Sequence, residues 1–195
     1  MYTDAAVHNM LAAEGTTYLS LHSAYSASGA NELTGGSPAY ARKAVTWTTP
    51  TSRATSLAGA VTFDVPASTV AWIGRWTAST GGTFLGMGPV QGDEKEFSVD
   101  IVSNVFTSAA HMYLDTNTIV FYAGTVPGGL TEGTTYYVRD KTTDTFKVAA
   151  TSGGTAIDIT SVPSASCVVS RIAAEVFGAQ GMVNVPTTFK LTAGV

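Results

Sequence analysis

Val61-Thr62-Phe63-Asp64-Val65-Pro66 and, three residues further on, Val70-Ala71-Trp72-Ile73-Gly74-Arg75-Trp76 decide the fold class. The first run alternates with a period of two, which places Val61, Phe63 and Val65 on one face of an extended chain until Pro66 ends it. In the second, Val70, Trp72, Gly74 and Trp76 stand opposite Ala71, Ile73 and Arg75, so both faces carry apolar side chains and a strand covered on both sides is expected. Gly81-Gly82 then turns the chain into Thr83-Phe84-Leu85. Short strands parted by Gly, Pro and Ser turns form the pattern of a β-sandwich or a partly open barrel.

Toward the N terminus, Tyr18-Leu19-Ser20-Leu21-His22 alternates again, with Leu19 and Leu21 on one face and Ser20 and His22 on the other. Residues 23–38 read as a loop by composition, and Ala44 to Thr48 as a strand closed by Pro50. Asp4 to Ala13 reads as a short helix, capped by Thr3 or Asp4, stopped by Gly15, and carrying Ala6, Val7, Met10 and Leu11 as one apolar stripe.

Toward the C terminus the texture changes at Gly92-Asp93-Glu94-Lys95-Glu96, the densest charge cluster of the chain. Strands are expected at Phe97 to Ile101, Thr118 to Tyr122, Thr134 to Arg139, Thr145 to Ala149 and Cys167 to Ile172, with turns at 127–129, 140–143 and 152–154. Longer strands follow at Ala173 to Phe177 and Thr187 to Thr192, joined through Gly178 and Gly181. The tail is expected to rejoin the first region. That gives two domains: a β-sandwich assembly domain of residues 1–92 plus 172–195, and an inserted small β module of residues 93–171. Leu19, Leu21, Val45, Trp47, Phe63, Trp72, Phe84 and Phe189 are expected to contribute to the larger core or to a subunit contact, and Phe121, Tyr137, Val138, Phe146 and Ile157 to the smaller core.

Composition bounds the function. The chain has 195 residues with 45% hydrophobic and only 12% charged, about half the charged share of an ordinary globular domain. Ten basic against fourteen acidic residues leave a net charge of -4, and no basic cluster offers a footprint for nucleic acid. Thirty threonines and seventeen serines make a hydroxyl surface, poor in the charges that keep monomers apart. No charged leader precedes an apolar run and no apolar stretch approaches the roughly 20 residues of a membrane span, so neither a cleaved export signal nor a membrane partner is expected.

Candidate chemistry is sparse. His8, His22 and His111 are too scattered for a zinc site. Asp93, Glu94, Glu96 and Asp100 lack the glycine-punctuated spacing of a calcium loop and read as a solvated negative surface. Cys167, the only cysteine, sits in a strand pattern and reads as an inert thiol. Of Tyr136 and Tyr137 one packs inward and the other faces out, with no catalytic role. Trp47, Trp72 and Trp76 would suit sugar stacking if exposed, but their apolar strand neighbours favour burial. No nucleophile elbow, phosphate-binding glycine loop or zinc-protease motif occurs. Catalytic, cofactor-binding and metal-binding residues are therefore all expected to be none, and the chain is not expected to be an enzyme.

Two stretches carry a resemblance. Asn31-Glu32-Leu33-Thr34-Gly35-Gly36-Ser37-Pro38-Ala39-Tyr40-Ala41-Arg42-Lys43, followed by Val61 to Ala67 and Gly81-Gly82-Thr83-Phe84-Leu85-Gly86, resembles a family of small virion structural proteins of tailed bacteriophages, common in phages of actinobacteria and of tail or head-fibre type. It covers residues 1–90 and 172–195. Ala110 to Tyr113, Asn117 to Phe121, Leu130 to Val138, Thr145 to Thr151 and Gly153 to Ile159 resemble the small β modules repeated in phage tail fibres, although Met112 and Thr116-Asn117 replace the glycine and Gly-Asp of that pattern. The resemblance implies a non-enzymatic, multi-copy component of the virion, either a capsid decoration or head fibre or a tail or baseplate part. Its implied partners are further copies of itself as a homo-oligomer and other virion proteins such as major capsid or tail proteins. A carbohydrate- or host-receptor-binding module is the alternative, and it requires an exposed aromatic platform.

Overall fold

The computed structural model describes residues 17–51, 54–90, 94–163 and 167–192. Among them run sixteen strands: β1 (Thr17–His22), β2 (Lys43–Val45), β3 (Ala54–Ser56), β4 (Val61–Val65), β5 (Ser68–Val70), β6 (Trp72–Trp76), β7 (Phe84–Pro89), β8 (Ser98–Asp100), β9 (Val105–Thr107), β10 (Thr118–Tyr122), β11 (Thr135–Arg139), β12 (Thr145–Ala149), β13 (Val168–Arg171), β14 (Glu175–Phe177), β15 (Gly181–Val185) and β16 (Lys190–Thr192). The described residues are all-β, their sheets are antiparallel, and none of the five closes into a barrel. The helix expected at Asp4 to Ala13 lies outside the described residues.

Two compact units divide the chain, Met1–Gly88 with Ala174–Val195, and Pro89–Ala173. In the first, a four-stranded sheet runs in the order β2-β1-β6-β7, and three two-stranded ladders join β5 to β14, β4 to β15 and β3 to β16. The alternation of Val61 to Val65 has a direct consequence. Phe63 and Val65 are buried, and β15 supplies Val183 opposite Phe63 and a buried Val185 opposite Val61. Leu19, Leu21, Val70, Trp72 and Ile73 add to this apolar interior, where each large side chain contributes about 1.5–3 kcal/mol by leaving water.

The second unit is one six-stranded sheet, ordered β13-β10-β11-β12-β9-β8. One of its faces carries Ile119, Phe121, Tyr136, Val138, Phe146, Val148, Phe106 and Val169, closed over by Tyr113, Leu130, Ile159 and Cys167. The rings interlock, with Phe106 stacked on Phe146 at 5.4 Å between centroids and Phe97 edge-on to Phe121 at 5.2 Å.

Several expectations need correction. The run Val70 to Trp76 is two strands, because Ala71 donates its N–H to the His22 carbonyl while β5 pairs with β14 and β6 with β1. The link through Gly178 and Gly181 hides a full strand, β15. Thr187 to Thr192 shortens to β16, since Phe189 N bonds Pro186 O in a turn. Tyr136 and not Tyr137 packs inward, because only Tyr136 shares a face with the buried Val138. Ile157 packs against the cluster of the second unit as expected, partly buried, and Trp47, Phe84 and Phe189 are likewise partly buried.

Candidate functional site

Strand β1 is the centre of the site. Its odd positions, Leu19 and Leu21, are buried as the alternation requires, but so are Ser20 and His22, each with no solvent exposure. The even face is covered by the chain segment that leaves β1 at Ser23 and returns at Arg42. Leu33 N bonds Leu21 O at 3.0 Å, Ser23 N bonds Asn31 O at 3.1 Å, and Glu32 bridges to His22. What reads as a loop by composition is an excursion fastened back onto the sheet.

Beneath it runs a chain of polar groups whose proton positions follow from valence. His22 Nδ1 lies 2.7 Å from the Ala30 carbonyl, which only accepts, so Nδ1 carries the proton. His22 Nε2 is then an acceptor, and Ser20 Oγ, 2.7 Å away, donates to it. Trp76 Nε1 donates in turn to Ser20 Oγ at 2.9 Å. Every group in the sequence Trp76, Ser20, His22, Ala30 is thereby paired with a neutral imidazole, and burial holds the His22 pKa below its ordinary value of 6.5. The cross-strand partner of Ser20 is Gly74. A Cβ there would stand 2.5 Å from His22 Nε2 and 2.6 Å from Ser20 Oγ, so this strand position requires glycine for close approach.

Charged and aromatic groups fasten the far end of the excursion. Arg42 Nη2 meets Glu32 Oε2 at 2.7 Å and Arg42 Nε meets Glu32 Oε1 at 2.9 Å, with the two side chains 10% and 19% exposed. The remaining nitrogen, Nη1, donates to Gly81 O and Ala78 O, and the guanidinium lies 3.6 Å from the centroid of the Trp76 ring. Such shielded, bidentate, stacked geometry is where an ion pair outweighs the small contribution of a solvated one. Tyr40 accepts the Leu21 N–H and donates to Glu32, and burial raises its pKa. Gly29, at φ +79, leaves room for the rings of Trp76 and Phe84. Gln180 reaches from the β14–β15 link to bond Ser37 N and Pro38 O.

The residues singled out by sequence are dispersed. His8 and Asp93 lie outside the described residues. His111 is buried in the second unit, with Nδ1 accepting from Tyr113 N and Nε2 donating to Thr145 O. Both described histidines thus commit both ring nitrogens within their own units, and among the described residues no group of three or more His, Cys, Asp or Glu could hold a metal. Glu94 accepts the Tyr122 hydroxyl at 2.7 Å, and the Glu96 carbonyl accepts from Ser108. Asp100 is capped by Ser103 Oγ and Val102 N, which hold its pKa below the usual carboxylate value. Cys167 is buried and its thiol pushed up to about 11. Trp72 is buried, and Trp47 and Trp76 are half-buried with their indole N–H groups spent on Thr17 and Ser20. The composition of residues 23–42 does not mark the fastened excursion; the hint in the sequence is that Ser20 and His22 share one strand face.

The arrangement offers a rigid scaffold rather than a reaction centre. The Ser20–His22 pair is sealed from solvent and aimed at a carbonyl, so no substrate meets it. A family model described as Podophage GP4 fiber I protein gp80 matches residues 3–105, about half of the chain, and the protein belongs to this family. Membership makes it a non-enzymatic phage fibre-type protein associated with the virion. The matched stretch contains β1 to β8 and ends at the first residue of β9, so β14, β15 and β16, which complete three ladders of the first unit, come from outside it. No curated protein and no solved structure matches the chain. Among the described residues no helix is long and apolar enough to cross a membrane.

Proposed function

We propose that this chain is a multi-copy structural component of a tailed-phage particle, placed either on the capsid as a decoration or head fibre or in the tail or baseplate. The family match over residues 3–105 carries this reading. In it, residues 1–92 with 172–195 form a sandwich-like assembly domain that meets further copies and other virion proteins through sheet edges or faces. Residues 93–171 form an inserted module that projects. Among the described residues no strand pairs with the outer edges of β2, β7 and β8, which need a covering neighbour, and symmetry copies supply one without new sequence. The receptor-binding alternative loses its simplest support, since none of the three tryptophans is exposed.

Mass spectrometry and cryo-EM of purified particles test the reading directly. Copies of the intact chain at a symmetric position are expected, and particles lacking the chain refute it. Replacing residues 96–171 by a short Gly/Ser linker is expected to preserve incorporation and remove an outer protrusion. If incorporation is lost while the remaining domain still folds, the module is an assembly contact and its outward placement is wrong.

A further inference from the structure

We propose that His22 and the segment Ser23 to Arg42 form an acid-sensitive latch, closed at neutral pH, whose release lifts the segment off β1 and uncovers the Trp76 and Phe84 rings. The geometry behind it is the single-proton imidazole. His22 Nδ1 already donates to Ala30 O, and Nε2 already accepts from Ser20 Oγ, which itself accepts from Trp76 Nε1. A second proton on Nε2 turns two N–H groups toward Ser20 Oγ and leaves the serine hydroxyl proton without the acceptor it now has, in a pair with no solvent exposure.

The charges around the ring do not cancel the new one. Glu32 faces it from the bridging segment, and its carboxylate is held bidentately by Arg42, which also lies beside the ring. From β6 the facing residues are Trp72, Gly74 and Trp76, with Arg75 on the opposite face. From β7 the neighbour is Phe84, its ring 6.4 Å away, and Tyr40 presents a hydroxyl already committed to Leu21 N and Glu32. The imidazolium gains solvation only when the segment above it moves. The segment is held there by Leu33 N to Leu21 O, Ser23 N to Asn31 O and the packing of Gly29 on Trp76 and Phe84.

Linkage sets the direction. Burial keeps the closed-state pKa of His22 below 6.5, while an open segment returns it to 6.5. Above pH 6.5 both states are neutral and opening is independent of pH. Below it the open state binds the extra proton, so the opening constant grows by up to about tenfold per pH unit until the closed-state pKa is passed.

Hydrogen exchange of the full chain between pH 7.5 and 4.5, corrected for intrinsic rates, is the test, with the His22 ring signals followed by NMR on the same samples. Faster exchange at the Ser23 and Leu33 amides is expected as pH falls, tracking His22 titration and accompanied by a change in tryptophan fluorescence. His22→Gln, which cannot titrate, is expected to flatten the profile. Where that variant does not fold, the wild-type comparison still decides. Titration of His22 without faster exchange at Ser23 and Leu33 overturns the latch. So does exchange at these amides that stays flat over the whole range.

Discussion

In the second unit a strand finds most of its partners nearby in the chain, whereas in the first three ladders reach to the far end of the described residues. Strands β10, β11 and β12 succeed one another both in sequence and in the sheet. In the first unit β3, β4 and β5 pair with β16, β15 and β14, more than one hundred residues away. Both interiors take in polar side chains, Thr17, Ser20, His22 and Thr55 in the first unit and Ser108, His111 and Ser170 in the second, and the second adds one cluster of interlocked rings. Local pairing with an aromatic core makes a unit that specifies itself. Distant pairing leaves register to the pattern of buried and exposed residues, because a slip of one residue would put every buried group on the wrong face.

The largest expected effect separates the two interiors. Phe146→Ala removes a fully buried ring stacked on Phe106, and Trp72→Ala removes a ring 2% exposed and edge-on to Tyr25. Each is expected to cost about 3–5 kcal/mol. Chemical denaturation followed separately by tryptophan fluorescence and by hydrogen exchange should show Phe146→Ala lowering the transition of residues 94–172 and Trp72→Ala that of the first unit. One shared transition in both variants would mean that the units unfold together. Gly74→Ala comes next. Its Cβ would press on His22 and Ser20, and overpacking of this kind costs about 1–3 kcal/mol, expected as a lowered melting temperature of the first unit alone. Smaller again is Glu94→Gln, which weakens the acceptor of the Tyr122 hydroxyl. Because Glu94 is solvent-exposed, a loss of about 1 kcal/mol is expected in the second unit by urea titration.

The same contrast explains what could be read from sequence. Thr118 to Tyr122 and Thr145 to Ala149 are strands at the residues their alternation indicates, because a hairpin strand needs only its own pattern and a nearby turn. Strand β15 escaped because Gly178 and Gly181 look like a link, and the residues that make it a strand are those of β4, fixed only by folding. The break at Ala71 is invisible for a like reason, since it exists to let two consecutive segments join different sheets. At the site, the alternation places Ser20 and His22 together on one face and says nothing of what covers it. Nothing in residues 23–42, with their serines and glycines, announces that Glu32, Tyr40 and Arg42 close over that face. The tertiary environment of a polar residue on a strand is set by what lies above it, and period-two alternation carries no information about that.

Cys167 gives the finest test of whether the two units are energetically separate. Its thiol is 9% exposed, packs in the aromatic cluster of the second unit, and is pushed up to about 11 by burial, so at pH 8 the reactive thiolate is scarce as well as shielded. Labelling of the native protein by a thiol reagent is therefore expected to be slow and to accelerate in denaturant, reporting the opening of its own unit. Phe146→Ala, which loosens the cluster that holds Cys167, should speed labelling in buffer. Gly74→Ala, which strains β1 and β6 in the first unit, should leave the rate unchanged. Equal acceleration by both variants would show that strain at Gly74 reaches the cluster around Cys167, and the chain would then be one cooperative body in which the distant pairings of the first unit limit the stability of the second.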